Sequence, residues 1–226
     1  VTPLHRPALA VLNLWRRHAM RGIGERIHGS DGWSYLRGIV QGASAVTAPS
    51  GHFARRLEQH HVFRDVDAMW NGIDDEILDS TLAQRESRPP GRPRLIWLGR
   101  MSPEKRLIPF LEAVRASGID ADIEIVGGGG QLGAAKRRAR GMEGVRFVGK
   151  LTYPQVLARI AAADAVVQTS IGFETQGMTP FEAAALGTPT IVSDPDIAGE
   201  LGGGLWQVPG ATSGESTRVA ALARTL

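Results

Sequence analysis

The stretch A-V-V-Q-T-S-I-G-F-E-T-Q-G-M-T-P-F-E-A-A-A-L-G-T-P (165–189) reads as a strand, a loop and a helix in succession. Residues 165–170 begin with the apolar Ala165, Val166 and Val167 and carry the β-branched Thr169, and read as a short buried strand. Thr179 is the expected N-cap and Pro180 the first helical residue, where a missing N–H costs nothing; Gly187 ends the helix. Residues 171–178 are then the strand-to-helix loop, with Gly172 and Gly177 as its flexible points. The N–H groups of Gly177, Met178 and Thr179 point outward from the helix start, a ready site for phosphate.

Two carboxylates, Glu174 and Glu182, lie eight positions apart in this stretch. Glu182 follows Thr179 by three residues and so also fits the acidic half of a capping box. Glu174 caps nothing, yet it stands in the loop directly ahead of the backbone donors.

The same unit recurs outward from here. Apolar strands are expected at 95–99, 123–127, 145–149, 165–169 and 190–193, with helices at about 103–117, 131–140, 153–163 and 180–186. Strands apolar on both faces and alternating with helices imply a parallel sheet covered on both sides, a doubly wound, Rossmann-like α/β domain. Ligands of such sheets bind beyond the carboxyl ends of the strands.

E-S-R-P-P-G-R-P-R (86–94), with three prolines and a glycine, reads as an extended linker. We divide the chain there, into the last part of a first domain (1–85) and a second domain from about residue 92 to residue 226. In the first part, 9–27 reads as a basic amphipathic helix weakened by Gly22 and Gly24, able to lie half-buried or on an anionic membrane surface. Helices follow at 33–42 and 52–59, with short strands in 43–50 and 66–70 and an Asn-Gly turn at 71–74.

Composition narrows the classes. A chain of 226 residues holds one large domain or one domain and part of another. It has no cysteine, which excludes a disulfide framework and thiolate metal sites. No apolar run approaches the roughly 18 residues of a spanning helix. The formal net charge of +3 is uneven, about +5 over residues 1–61 and −2 over the remainder. A cytoplasmic location, with peripheral contact to a membrane, is the expectation, and nucleic acid is not an expected partner. The first residue is Val1 rather than Met, so the chain reads as an excerpt or a processed form.

The loops after the strands carry the candidate chemistry. After the first strand of the second domain comes G-R-M-S-P-E-K (99–105), with Ser102 and Pro103 as N-cap and first helical residue. Arg100 and Lys105 then flank a positive helix end, a repulsive arrangement unless an anion joins them. The second strand ends in G-G-G-G (127–130), which reads as a tight turn with a closely approached backbone; no dinucleotide fingerprint or P-loop lysine follows.

Together these motifs resemble the group 1 (family 4) retaining glycosyltransferases of the GT-B type. Their E-x7-E motif, continued as E-A-x-A-x-G-x-P, is matched from Glu174 to Pro189, and their G-R-x-x-x-E-K element from Gly99 to Lys105. Their V-x-F-x-G element is matched at 145–149, and T-P-L-H (2–5) is similar to their T-x-H element. The resemblance implies a donor-binding domain that takes a nucleotide diphosphate sugar and transfers the sugar to an acceptor hydroxyl, with retention of configuration and without a metal. It implies that Gly99, Arg100 and Lys105 meet the diphosphate, that Met178 and Thr179 do so through their N–H groups, and that Lys150 and Leu151 lie near the base. Glu174 would hold sugar hydroxyls beside the Gln176 and Gly177 backbone, Glu182 the ribose, and His5 would face the sugar from the other domain as a catalytic group. The acceptor, whether glycan, lipid or small molecule, is not legible. A nucleotide-sugar epimerase of the same architecture and a non-catalytic sugar-nucleotide-binding module remain open. A glycosidase fits poorly, because its paired carboxylates face each other at about 5 to 9 Å across the scissile bond.

Overall fold

Buried strands that alternate with helices do build a doubly wound α/β domain. The computed structural model describes residues 32–85, 91–172 and 174–226. His5, the expected helix at 9–27 and most of the expected linker lie outside the described residues. The chain divides into two compact units, Val1–Met69 and Trp70–Leu226. The division thus falls ahead of residues 86–94, because the helix Asp75–Ala83 packs with the second unit.

In the first unit, helix α1 (Gly32–Ile39), strand β1 (Thr47–Ala48), helix α2 (Gly51–Gln59) and strand β2 (Asp67–Ala68) enclose a small core of Ala48, Ala54, Leu57, Val62 and Val66. The two strands pair in parallel. Ser50 caps α2, its hydroxyl accepting from the Phe53 N–H at 3.2 Å.

In the second unit the elements run α3 (Asp75–Ala83), β3 (Arg94–Arg100), a 3₁₀ turn (Pro103–Lys105), α4 (Leu107–Ser117), β4 (Asp122–Gly128), α5 (Leu132–Arg138), β5 (Val145–Gly149), α6 (Tyr153–Ala161), β6 (Ala165–Gln168), α7 (Met178–Ala185), β7 (Thr190–Val192), α8 (Pro195–Leu201), β8 (Leu205–Gln207) and α9 (Glu215–Thr225). The six strands lie in the order β5-β4-β3-β6-β7-β8, all parallel. Side chains alternate across the pleat. Leu95, Trp97, Ile123 and Ile125 pack against α4, α5 and α9, while Ile96, Val126 and Val166 pack against α3, α6 and α7.

Two helix starts differ from the sequence expectation. The helix expected at 103–117 is broken at Arg106, which takes a left-handed conformation (φ 56°). That conformation costs a non-glycine residue roughly 1–2 kcal/mol, and tertiary contacts hold it: the Lys105 carbonyl accepts from Thr169 Oγ1 at 2.7 Å, and the Arg106 guanidinium reaches Glu215 at 2.7 Å. Helix α7 begins two residues early. Gly177, at φ 74°, is its N-cap, so Thr179 and Pro180 sit inside the first turn, and Glu182 lies too deep to complete a capping box. The start is set at Gly177 because its left-handed backbone turns the loop in against Ile197, whose Cδ1 leaves no room for a side chain.

Candidate functional site

From β3 the chain winds outward through β4 and β5; it then returns to β6, beside β3, and winds the other way through β7 and β8. The loops after β3 and β6 therefore part at the carboxyl edge of the sheet, the position where doubly wound folds open a crevice. A cavity of about 250 Å³ lies there, lined by Trp97, Lys105, Ser170, Glu174, Gly177 and Thr179 among others.

The loop after β3 is clamped by the glycine run after β4. A Cβ on Gly127 would stand 2.0 Å from the Gly99 carbonyl oxygen, and one on Gly129 2.6 Å from that of Met101. In their place run main-chain bonds, Met101 N–H to Gly128 O and Gln131 N–H to Met101 O, both 2.9 Å. The run is thus a close backbone approach, as its reading as a tight turn implies. Trp97 Nε1–H donates to Thr169 Oγ1 at 2.9 Å, and Thr169 in turn donates to the Lys105 carbonyl. Strands β3 and β6 thereby fix where Lys105 leaves the backbone.

Lys105 and Glu174 meet in the cavity. The Lys105 ammonium donates to Glu174 Oε1, and the Ser170 hydroxyl donates to the same oxygen at 2.6 Å. Ser170, itself buried, accepts from the Gln168 amide. The hydroxyl's single proton is spent on Glu174, so the glutamine must present its NH₂ group to Ser170. Beside Glu174, the first turn of α7 offers the N–H groups of Met178 and Thr179, and its N-cap, Gly177, has no side chain with which to cap them.

The other sequence candidates are distributed around this centre. Gly99 underlies the Lys105 stem, which would lie 3.9 Å from a Cβ there. Arg100 turns outward: its side chain is 67% exposed and pairs with Glu104 at 2.8 Å. The Ser102 hydroxyl and Arg100 hold the Glu104 carboxyl below its usual range. Lys150 is exposed and Leu151 half-buried, just before the α6 cap formed by Thr152 and Gln155. Gln176 is buried; its Oε1 accepts from the Asn71 N–H at 3.0 Å and from Asn71 Nδ2 at 2.7 Å. Glu182 is buried, 7% exposed, in α7. Burial raises the Glu182 pKa and the Tyr153 hydroxyl opposes the rise, while burial and the charges of Glu182 and Asp74 push the Tyr153 phenol up to about 12.

Asn71, Tyr153, Ser170 and Asp194, none of them a site candidate from the sequence, complete the surroundings. Asp194 is buried; one oxygen accepts from the Gly172 N–H at 2.7 Å and the other caps α8 through the Asp196 N–H at 2.9 Å. Its signal is the Asp-Pro pair at 194–195, a cap and first-turn proline. Among the described residues, no group of three or more His, Cys, Asp or Glu could hold a metal ion, and no helix is long and apolar enough to cross a membrane.

Residues 92–223 match the family model described as glycosyl transferases group 1. A phosphatidyl-myo-inositol mannosyltransferase of Mycobacterium leprae is 26% identical over 212 residues, 87% of this chain and 55% of that protein. A glycogen synthase of Mycobacterium tuberculosis is 33% identical over 142 residues, 60% of this chain and 33% of that protein. The chain therefore spans about half or less of these relatives' length. In fold it is similar to Anabaena Alr3699/HepE, crystallised with UDP-glucose, at a TM-score of 0.64 and 22% identity over 86% of this chain and 58% of that one. The family match covers the strands and loops that build the cavity, and the chain belongs to the group 1 glycosyltransferases.

Proposed function

We propose that this chain carries the donor half of a glycosyltransferase that moves a sugar from a nucleoside diphosphate to an acceptor hydroxyl with retention of anomeric configuration. The observation that carries the reading is the meeting of Lys105, Glu174 and the glycine-capped first turn of α7 around one cavity at the switch point of the sheet. A cation and backbone donors suit a diphosphate, and a carboxylate beside them suits sugar hydroxyls. The matched family and the nucleotide-sugar ligand of a structural neighbour support the same donor class.

In this reading Lys105 and the Met178 and Thr179 N–H groups take the diphosphate. Arg100 swings in from Glu104 to join them. Glu174 takes hydroxyls of the transferred sugar, Glu182 the ribose, and the Lys150–Leu151 backbone lies against the base. Charge developing on the leaving phosphate is met by these fixed donors, so no metal is required. His5 would act from the other domain on the sugar face. Retention rests on the match to the E-x7-E motif. The test is a thermal-shift panel of nucleotide sugars on the chain. A rise in Tm with one nucleotide sugar, growing with its concentration, supports the donor site by mass action. No rise with any of them at millimolar concentration overturns it.

A further inference from the structure

Strand β6 is central in the sheet and apolar from Ala165 to Val167, yet its last residue is Gln168. Gln168 and, two residues on, Ser170 are both buried, and both line the cavity. The Gln168 amide donates to the Ser170 oxygen, and Ser170 donates its own proton to Glu174 Oε1 at 2.6 Å. The three side chains thus form one directed chain that ends on the carboxylate. The other end of the amide, Gln168 Oε1, is buried and has no hydrogen-bond partner among the described residues. A carbonyl buried in this way is a cost, and an apolar side chain of similar length would avoid it. Stability therefore does not account for Gln168. What its NH₂ group does is occupy a lone pair of the Ser170 oxygen, which leaves the hydroxyl proton directed at Glu174.

The Lys105 ammonium shares Glu174 Oε1 with Ser170. A diphosphate that draws Lys105 to itself removes the cation from that oxygen, while the Ser170 hydroxyl stays. We propose that Ser170, oriented by Gln168, is a positioning residue that keeps the Glu174 carboxylate in place for the hydroxyls of the transferred sugar once Lys105 has turned to the diphosphate. The inference rests on the assignment of Glu174 to the sugar and adds the groups that hold it there. Its consequence is that the sugar's share of donor affinity, and not the diphosphate's, depends on Ser170 and Gln168.

The experiment is isothermal titration of the chain, of Ser170→Ala and of Gln168→Met with UDP, GDP and ADP and, for whichever binds, with its glucose and mannose conjugates. The quantity read is the affinity for the conjugate divided by that for the bare diphosphate. Ser170→Ala should lower this ratio by about tenfold, the scale of a hydrogen bond to a charged group, and Gln168→Met by about threefold, the scale of a neutral one. Affinity for the bare diphosphate should stay as it is. In a Glu174→Gln background neither change should lower the ratio further. The Tm of Gln168→Met should equal or exceed that of the parent, because the unpartnered carbonyl is gone; a glutamine that served the fold alone would lower Tm and leave the ratio untouched. An unchanged ratio in either variant, or an equal loss for conjugate and bare diphosphate, overturns the inference and leaves the donor site standing. Failure of all of the diphosphates to bind the unaltered chain overturns both.

Discussion

Lys105 and Glu174, 69 residues apart in the chain, are ion-paired across the mouth of the cavity between β3 and β6. The proposed donor separates them in role, since the diphosphate takes Lys105 and the sugar takes Glu174. A diphosphate must draw the ammonium from its carboxylate partner, and that exchange frees Glu174 for the sugar. Glu174→Gln should therefore tighten bare nucleoside diphosphate by about threefold, the worth of a partly exposed ion pair. The same change should lower turnover of the complete enzyme, because the sugar contact is weakened. Titration with nucleoside diphosphate checks the first half, and weaker rather than tighter binding would count against the exchange.

The two cations of the loop after β3 should not be equal. Lys105 lines the cavity, whereas Arg100 rests on Glu104 with most of its side chain in solvent. Lys105→Ala should weaken nucleoside diphosphate binding by about tenfold or more, and Arg100→Ala by less, on the scale of charge-assisted hydrogen bonds. Affinities measured at one ionic strength decide the order; a larger loss in Arg100→Ala would reverse it.

Gly177 should tolerate no side chain. An added Cβ would lie 2.7 Å from Ile197 Cδ1, on a backbone at φ 74°. Gly177→Ala is expected to cost about 1–3 kcal/mol in stability from strain, and to weaken nucleotide binding by displacing the first turn of α7. Urea unfolding measures the first effect. A stability within 0.5 kcal/mol of the parent, roughly the level of a neutral surface change, would contradict it.

Glu182 links function to stability with a definite sign. Its pKa is raised in the folded chain by burial, so the folded state binds the proton more tightly than the unfolded one. Stability contributed by that site is complete below the ordinary carboxylate pKa and is lost as pH rises through the raised value. Glu182→Gln, which carries no charge to bury, should raise Tm at pH 7 to 8, with the difference shrinking below the ordinary pKa, while nucleotide affinity falls. Thermal melts across pH read the trend, and a Tm lowered at pH 8 would refute it.

Much of the sheet was legible because the strands centred on Trp97, Ile125, Phe147, Val167 and Ile191 are apolar and separated by helical patterns; the expected and observed ends differ by no more than one residue. The three-residue edge strand at Leu205–Gln207 carries an exposed Trp206 and too few residues to show a period. Helices Asp75–Ala83 and Pro195–Leu201 are short, the latter with an internal glycine, and neither shows a long apolar stripe. Local rules failed where distant groups decided the backbone. Thr169 and Glu215 hold the turn around Arg106, and the packing of Gly177 on Ile197 displaced the Thr-Pro cap signal. Residues 71–74, an Asn-Gly turn by sequence, are used otherwise: Asn71 is tied to Gln176, and Asp74 caps α3 through the Ile77 N–H at 3.0 Å. At the site, motif spacing singled out Lys105 and Glu174, but no local pattern announces that the two pair with each other or that Ser170 donates to Glu174.

The central claim, a nucleotide-sugar donor site built around Lys105, Glu174 and the start of α7, is tested most directly by titrating the chain with a nucleotide sugar in the presence of EDTA, alongside Lys105→Ala. The account predicts saturable binding in EDTA that Lys105→Ala weakens by about tenfold or more, the scale expected for a charge-assisted phosphate contact. Binding that requires added Mg²⁺ or Mn²⁺, or that is untouched in Lys105→Ala, would contradict it.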